Sequence, residues 1–230
     1  VEADNKIRLN KHLALQLGVS RREADNLIAS GQVSVNGTKA VLGGRMLPTD
    51  TLKVKGTTLS GGAALRYILF NKPAGYVCSR KAQGDNPTIY SILPDEYKPL
   101  KPVGRLDKDS SGLILLTNDG DFAYQMTHPK FYKTKVYQVS LNTDLEPLHQ
   151  QMIADYGVDL PDGKSQFSLM RLSDTQRKDW QVTMSEGRNR QIRRTFAALG
   201  YEVTALHRIQ FGNYSLGDMK SGDHKVTDIR

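Results

Sequence analysis

An acidic residue in a glycine-bracketed turn is the first candidate for chemistry. Asp107 closes Gly104-Arg105-Leu106-Asp107 and is followed by Lys108-Asp109-Ser110-Ser111-Gly112-Leu113. The apolar run Leu113-Ile114-Leu115-Leu116, closed by Thr117-Asn118-Asp119-Gly120, predicts a buried strand with turn signals on both sides. A carboxylate at the mouth of such a strand, in a chain of net charge +8, is a candidate nucleophile. The competing reading is a structural aspartate that caps the turn, and Asp109 is a rival carboxylate. Two further segments carry groups that could serve it. Lys135-Val136-Tyr137-Gln138-Val139 alternates like a strand and offers a tyrosine ring. Gly187-Arg188-Asn189-Arg190-Gln191-Ile192-Arg193-Arg194 opens a helix with a run of guanidinium groups.

The elements that must position these groups read as an α+β chain in two parts. Leu9, Leu13 and Leu17 recur at helical spacing, and Gly18 stops the run. Ser20-Arg21-Arg22-Glu23 has the capping-box form, with Ala24, Leu27 and Ile28 as the apolar face of a second helix that Gly31 ends. Val33-Ser34-Val35, Asn36-Gly37 and Lys39-Ala40-Val41 then predict a hairpin. These elements place a small domain at residues 1–56. Thr57-Thr58-Leu59-Ser60-Gly61-Gly62-Ala63-Ala64 is small and uncharged and predicts a linker over 57–64. From residue 65 to 230 a second domain is expected. Its strands include Tyr67-Ile68-Leu69-Phe70, broken by Asn71-Lys72-Pro73-Ala74-Gly75, then Lys135–Val139 and Trp180-Gln181-Val182-Thr183-Met184. They follow without regular helix alternation, so a mixed or largely antiparallel sheet is expected. In the helix that the Gly187–Arg194 run opens, Ile192, Phe196 and Leu199 form the apolar stripe and Gly200 ends it.

Composition narrows the partners. Residues 1–60 hold nine lysines and arginines against five acids, which predicts a basic N-terminal module and an anionic partner. The single cysteine, Cys78, excludes an intramolecular disulfide and fits a reducing cytoplasm. Tyr76 and Val77 predict that it lies on a strand as a quiet thiol. The five histidines are scattered without ligand spacing, so no metal site is expected. No run is long enough to cross a membrane, and no signal peptide is visible. The chain is read as a cytoplasmic monomer.

Arg8-Leu9-Asn10-Lys11, Ser20-Arg21-Arg22-Glu23-Ala24 and Gly31-Gln32-Val33-Ser34-Val35-Asn36-Gly37, in that order, resemble the S4-type RNA-binding domain. The resemblance implies two helices plus a hairpin, with Arg8, Lys11, Arg21 and Arg22 near helix starts, where unpaired N–H groups and the dipole also favour phosphate. Asn71-Lys72-Pro73-Ala74-Gly75-Tyr76 and Gly104-Arg105-Leu106-Asp107 resemble the first two motifs of the RNA pseudouridine synthases, in their RsuA-type branch that modifies ribosomal RNA. Lys135-Val136-Tyr137 and the Gly187–Arg194 run resemble the later motifs. Position in the matched motif selects Asp107 over Asp109 as the catalytic aspartate, Tyr137 as the tyrosine against the base and Arg193 as the active-site cation. Lys72, Arg105, Arg190 and Arg194 are expected to bind RNA.

The resemblance spans residues 7–215 and implies conversion of uridine to pseudouridine in ribosomal RNA, either free or in pre-ribosomal particles. That reaction adds and removes no atom, so no cofactor is expected. Attack by Asp107 on C6 of the base, attack on C1′ of the sugar, and assistance of proton loss from the sugar are all open routes. Arg193 is expected to keep Asp107 ionised and to orient it. Thr195, where relatives usually carry methionine, and His207 depart from the pattern. The wording of Arg188–Arg194 and of Arg8–Lys11 leans toward the large-subunit members. A non-catalytic RNA-binding or ribosome-assembly factor on the same fold is the alternative.

Overall fold

The computed structural model describes residues 6–59, 64–80 and 84–229. They form two compact units divided between Leu65 and Arg66. The N-terminal unit is built around helices Leu9–Leu17 and Arg21–Ala29. Gly18, at φ 67°, takes the left-handed turn that ends the first. The capping box forms: the Ser20 hydroxyl accepts from the Glu23 N–H at 3.1 Å, and the Ser20 N–H donates to the Glu23 carboxylate at 2.7 Å. Leu9, Leu13, Ala24 and Ile28 bury the facing sides of the two helices against Val33, Met46 and Leu52. The hairpin forms around Asn36-Gly37, both at positive φ, but its second strand is only Thr38–Lys39. Thr57–Thr58, expected in the linker, instead pairs with Leu52–Val54 as the edge of a four-stranded sheet. Lys55-Gly56 makes that turn with positive φ at both positions. Of the expected linker, residues 60–63 lie outside the described residues.

The C-terminal unit centres on a nine-stranded mixed sheet. Its strands run in the order Ser168–Arg171, Asp179–Met184, Lys135–Leu141, Val203–Phe211, Ser111–Thr117, Tyr67–Lys72 and His224–Val226. Lys101–Val103 and Tyr214–Ser215 pair at its side. All pairings are antiparallel except that of Ser111–Thr117 with Val203–Phe211, which is parallel and matches Ser111 with His207 and Gly112 with Arg208. The Tyr67 strand does not break at Asn71. It continues through Lys72, pairing Lys72 with Gly112, because both residues are buried and Asn71 is bonded to the Lys220–Asp223 turn region.

Each face of the sheet carries its own core. One contains Phe70, Ile114, Tyr137, Trp180, Val182 and Phe196; the other contains Tyr67, Leu115, Phe122, Phe211 and Tyr214. Helix Gln191–Ala198 covers the first with Ile192 and Phe196, and Gly200 turns the chain at φ 86°. Helix Gly120–Thr127, capped by the Asp119 carboxylate, covers the second with Phe122 and Met126. Among the described residues no helix is long and apolar enough to cross a membrane.

Candidate active site

Asp107 sits where the sequence places it, in the turn entering the buried strand Ser111–Thr117. Gly104 and Gly112 bracket that turn at φ 73° and 106°, values that a side chain resists. The turn is pinned from behind. Lys72, expected to touch RNA, is 0 % exposed, and its ammonium donates to the carbonyls of Pro73, Asp107 and Ser110 at 3.0, 3.1 and 2.6 Å. A lysine enclosed by main-chain oxygens cannot meet a phosphate, so its work is to fix the Asp107 turn. Burial lowers its pKa, while Cys78, Asp109 and Asp107 pull it back up. The Gly75 N–H adds a bond to the Lys108 carbonyl at 2.7 Å.

Cys78 is half-buried in a bend, not on a strand, since only Val77 makes an isolated bridge, to Thr88. Its sulfur accepts the Leu106 N–H, and burial pushes its thiol pKa up, as a quiet thiol requires.

The arginine run divides its labour differently from the expectation. Arg193 does not reach Asp107. Its Nε lies 3.3 Å from an Asp109 carboxylate oxygen, and its amino groups donate to the Val203 and Asp109 carbonyls at 2.8 and 3.1 Å. The guanidinium against Asp107 is that of Arg190, with Nη1 3.5 Å from Oδ2, while the same group holds both oxygens of Asp109 at 3.1 Å. Arg190 precedes the helix at φ 47°, and this left-handed kink turns its side chain away from the direction a continuing helix would give it. Burial would raise the Asp109 pKa, but the bond from Arg190 and the charges of Arg193 and Arg190 outweigh it and hold the carboxyl below its usual range. Arg194 is likewise committed, in a two-pronged pair with Asp162 at 2.9 and 2.8 Å, and Arg188 binds the Asp162 and Gly163 carbonyls. These two arginines tie the helix to the Val158–Ser165 hairpin rather than facing solvent freely.

The turn opens into a cleft of about 1250 Å³, lined by Arg105, Asp107, Tyr137, Arg190, Ile192 and Leu206 among others. Tyr137 is 8 % exposed on its strand, with its ring in the core beside the cleft. Arg105 is exposed at the rim.

Two cleft residues escaped the sequence reading. Lys135 donates to the Ser185 and Glu186 carbonyls, and its pKa is pushed down to about 8 by burial and by Arg208. Arg208 is 3 % exposed, donates to the Leu113 carbonyl at 2.8 Å and stacks over the Phe211 ring. The available signal was a cation on each of two strands whose apolar residues build the core.

The two departures have local explanations. Thr195 is fully buried and its hydroxyl bonds Ser165 at 2.7 Å and the Gln191 carbonyl at 2.8 Å, a polar network that a methionine could not enter. His207 Nδ1 pairs with the Ser111 hydroxyl at 2.8 Å.

In the N-terminal unit, Arg8 and Lys11 lie at the start of the first helix and Arg21 and Arg22 open the second. Arg8, Arg21 and Arg22 are exposed; Arg21 also donates to Asn10 at 3.2 Å. Among the described residues no three His, Cys, Asp or Glu side chains gather in a way that could hold a metal ion.

Comparison with known proteins gives the family. The family model for RNA pseudouridylate synthase matches residues 66–198, and that for the S4 domain matches residues 7–42. The chain is 36 % identical to the ribosomal small subunit pseudouridine synthase A of Pasteurella multocida, over 95 % of each chain. It is 33 % identical to the ribosomal large subunit pseudouridine synthase B of Bacillus subtilis, over 97 % of this chain and 95 % of that one. A solved pseudouridylate synthase is 32 % identical and superimposes with a TM-score of 0.68 over 96 % of both chains.

Proposed function

The chain belongs to the RNA pseudouridylate synthase family, and from that premise we propose that it isomerises uridine in ribosomal RNA with Asp107 as nucleophile. The observation that carries this assignment is the Asp107 carboxylate at the cleft, held by a turn pinned through Lys72, with Arg190 3.5 Å from Oδ2. Asp109 is a poorer choice because both its oxygens are taken by Arg190 and one is also near Arg193.

In the reaction the bond from N1 of the base to C1′ breaks, the uracil turns, and C5 joins C1′. The proton leaves C5 and N1 ends protonated, so the nucleotide keeps its composition. Asp107 starts this by attack on C6, by attack on C1′ or by assisting proton loss from the sugar. Arg190 orients the carboxylate through a charge-assisted contact. Arg193 acts as a positioning residue, through Asp109 and the main chain of the turn. Tyr137 supports the base while it rotates. The base must first leave its stack, which costs a few kcal/mol, and phosphate contacts from the cleft rim and from Arg8, Lys11, Arg21 and Arg22 offset this.

The wording of the arginine run and of Arg8–Lys11 supports large-subunit RNA as the target. Relatives named for either subunit match the chain, so transcripts of both are assayed together. The test is release of tritium from RNA carrying 5-tritiated uridine. The wild type is expected to release it, and Asp107→Asn to be slower by more than about a thousandfold while binding RNA equally well. Release by Asp107→Asn at the wild-type rate would remove Asp107 from the mechanism.

A further inference from the structure

The segment between helix Gly120–Thr127 and strand Lys135–Leu141 does no work in the reaction described above. It is nonetheless exposed except at the half-buried Lys133, and it is aromatic and basic. The rings of Tyr124 and His128 lie 4.8 Å apart, with Phe131 5.7 Å from Tyr124. Lys130 Nζ stands over Phe131 and Tyr124 at 4.8 and 5.2 Å from the ring centres. Beside this cluster Tyr132 is 76 % exposed and adopts φ 46°, the left-handed region that a tyrosine seldom enters. His128, Lys130, Tyr132 and Lys133 all line the same cleft as Asp107.

A single exposed aromatic residue carries no message. Here the ring is joined to lysines, and the backbone is bent against its preference. The surface is also continuous with a cleft that must accept an unstacked nucleotide. Tyr132 precedes Tyr137 by five residues, so their main chains are at most about 17 Å apart. A strand whose target base lies against Tyr137 therefore passes within a few nucleotides of Tyr132.

We propose that the segment from His128 to Lys133 is a stacking platform for an unpaired base adjoining the target uridine, with Tyr132 supplying the ring and Lys130 and Lys133 contacting the neighbouring phosphates. The proposal rests on the isomerase reading for what occupies the cleft. Aromatic stacking with cations alongside is the common solution for holding a single strand without reading its sequence. It would also hold open the strand from which the uridine has been extruded.

The experiment uses the full chain and two labelled probes: a short oligouridylate, and the same backbone with every base removed except one central uracil. Tyr132→Gly tolerates the left-handed conformation and removes the ring. It is expected to bind the oligouridylate roughly tenfold more weakly and the stripped probe as the wild type does, and Tyr132→Trp is expected to restore affinity. Equal affinity of Tyr132→Gly and wild type for the oligouridylate would overturn the proposal. So would an equal loss on both probes, which would mark a backbone or folding effect. Failure of the isomerase reading shows separately, as absence of tritium release by the wild type, a readout that does not enter the binding comparison.

Discussion

Lys135 is the cleft cation whose charge can be removed without touching the sequence. Its folded pKa, about 8, lies below the ordinary lysine value because burial and Arg208 disfavour the ammonium. Raising the pH from 7 to 9 therefore neutralises it, and RNA affinity is expected to fall over that window. Lys135→Arg, which stays charged, should flatten that part of the profile, as read by RNA-binding titrations at fixed salt; an unchanged profile would show that Lys135 does not face the RNA. The stability linkage has the opposite sense. With the folded pKa below the unfolded one, the favourable contribution is full above about 10.5 and is lost as pH falls through about 8.

At this scale the sequence was legible where a motif names a single residue, as with Asp107 at the turn. It was misleading where several cations compete. Lys72 reads as an RNA contact until its acceptors, 35 and 38 residues away at Asp107 and Ser110, enclose it. That Arg190 rather than Arg193 stands against Asp107 depends on one left-handed φ, which no spacing rule reports.

Among the elements, the parallel pairing of Ser111–Thr117 with Val203–Phe211 is the joint that sets the site. It places the turn bearing Asp107 beside the strand bearing Leu206 and Arg208. Gly112 makes the joint possible. A Cβ there would lie 2.3 Å from the Arg208 carbonyl oxygen and 2.5 Å from its nitrogen, main-chain atoms that cannot move aside, and its φ is 106°. Gly112→Ala is accordingly expected to destabilise the C-terminal unit by about 3 kcal/mol or more, lowering its melting temperature by roughly 6–12 °C. A variant that melts with the wild type would show that the two strands are not so tightly apposed. Gly112 was visible in the sequence as one side of a bracketed turn, but the close approach was not, because its partner is 96 residues further on. Three helices were legible, since Ser20, Glu23, Gly18 and Gly200 announce their ends locally, whereas Gly120–Thr127 was read only as a closing turn. The long strand through Asn71 and Lys72 was truncated in the reading because polar side chains there look like a turn until their buried partners are known.

For the whole molecule, two units with separate cores imply separable labour. Leu9, Leu13, Ala24 and Ile28 belong to a core that shares no residue with those of the sheet. A chain beginning at Arg66 is expected to fold and to release tritium at saturating RNA. Its half-saturating RNA concentration should rise about tenfold or more, and its dependence on salt should weaken as phosphate contacts are lost. Undiminished activity at low RNA concentration would count against an RNA-capturing role for residues 1–65. The two-part organisation was readable from the basic N-terminus and the ordered S4 motifs. The limit of the first sheet was not, because Thr57–Thr58 carries no apolar pattern to mark it as a strand.

The central claim, that Asp107 drives uridine isomerisation in ribosomal RNA, is tested most directly by nucleotide-resolution pseudouridine mapping. Unmodified small- and large-subunit RNA, free and as precursor particles, is treated with the wild type or with Asp107→Asn. The expected result is a discrete new pseudouridine that appears with the wild type and is absent with the variant. No new site with the wild type on any of these RNAs, or the same site with Asp107→Asn, would contradict it.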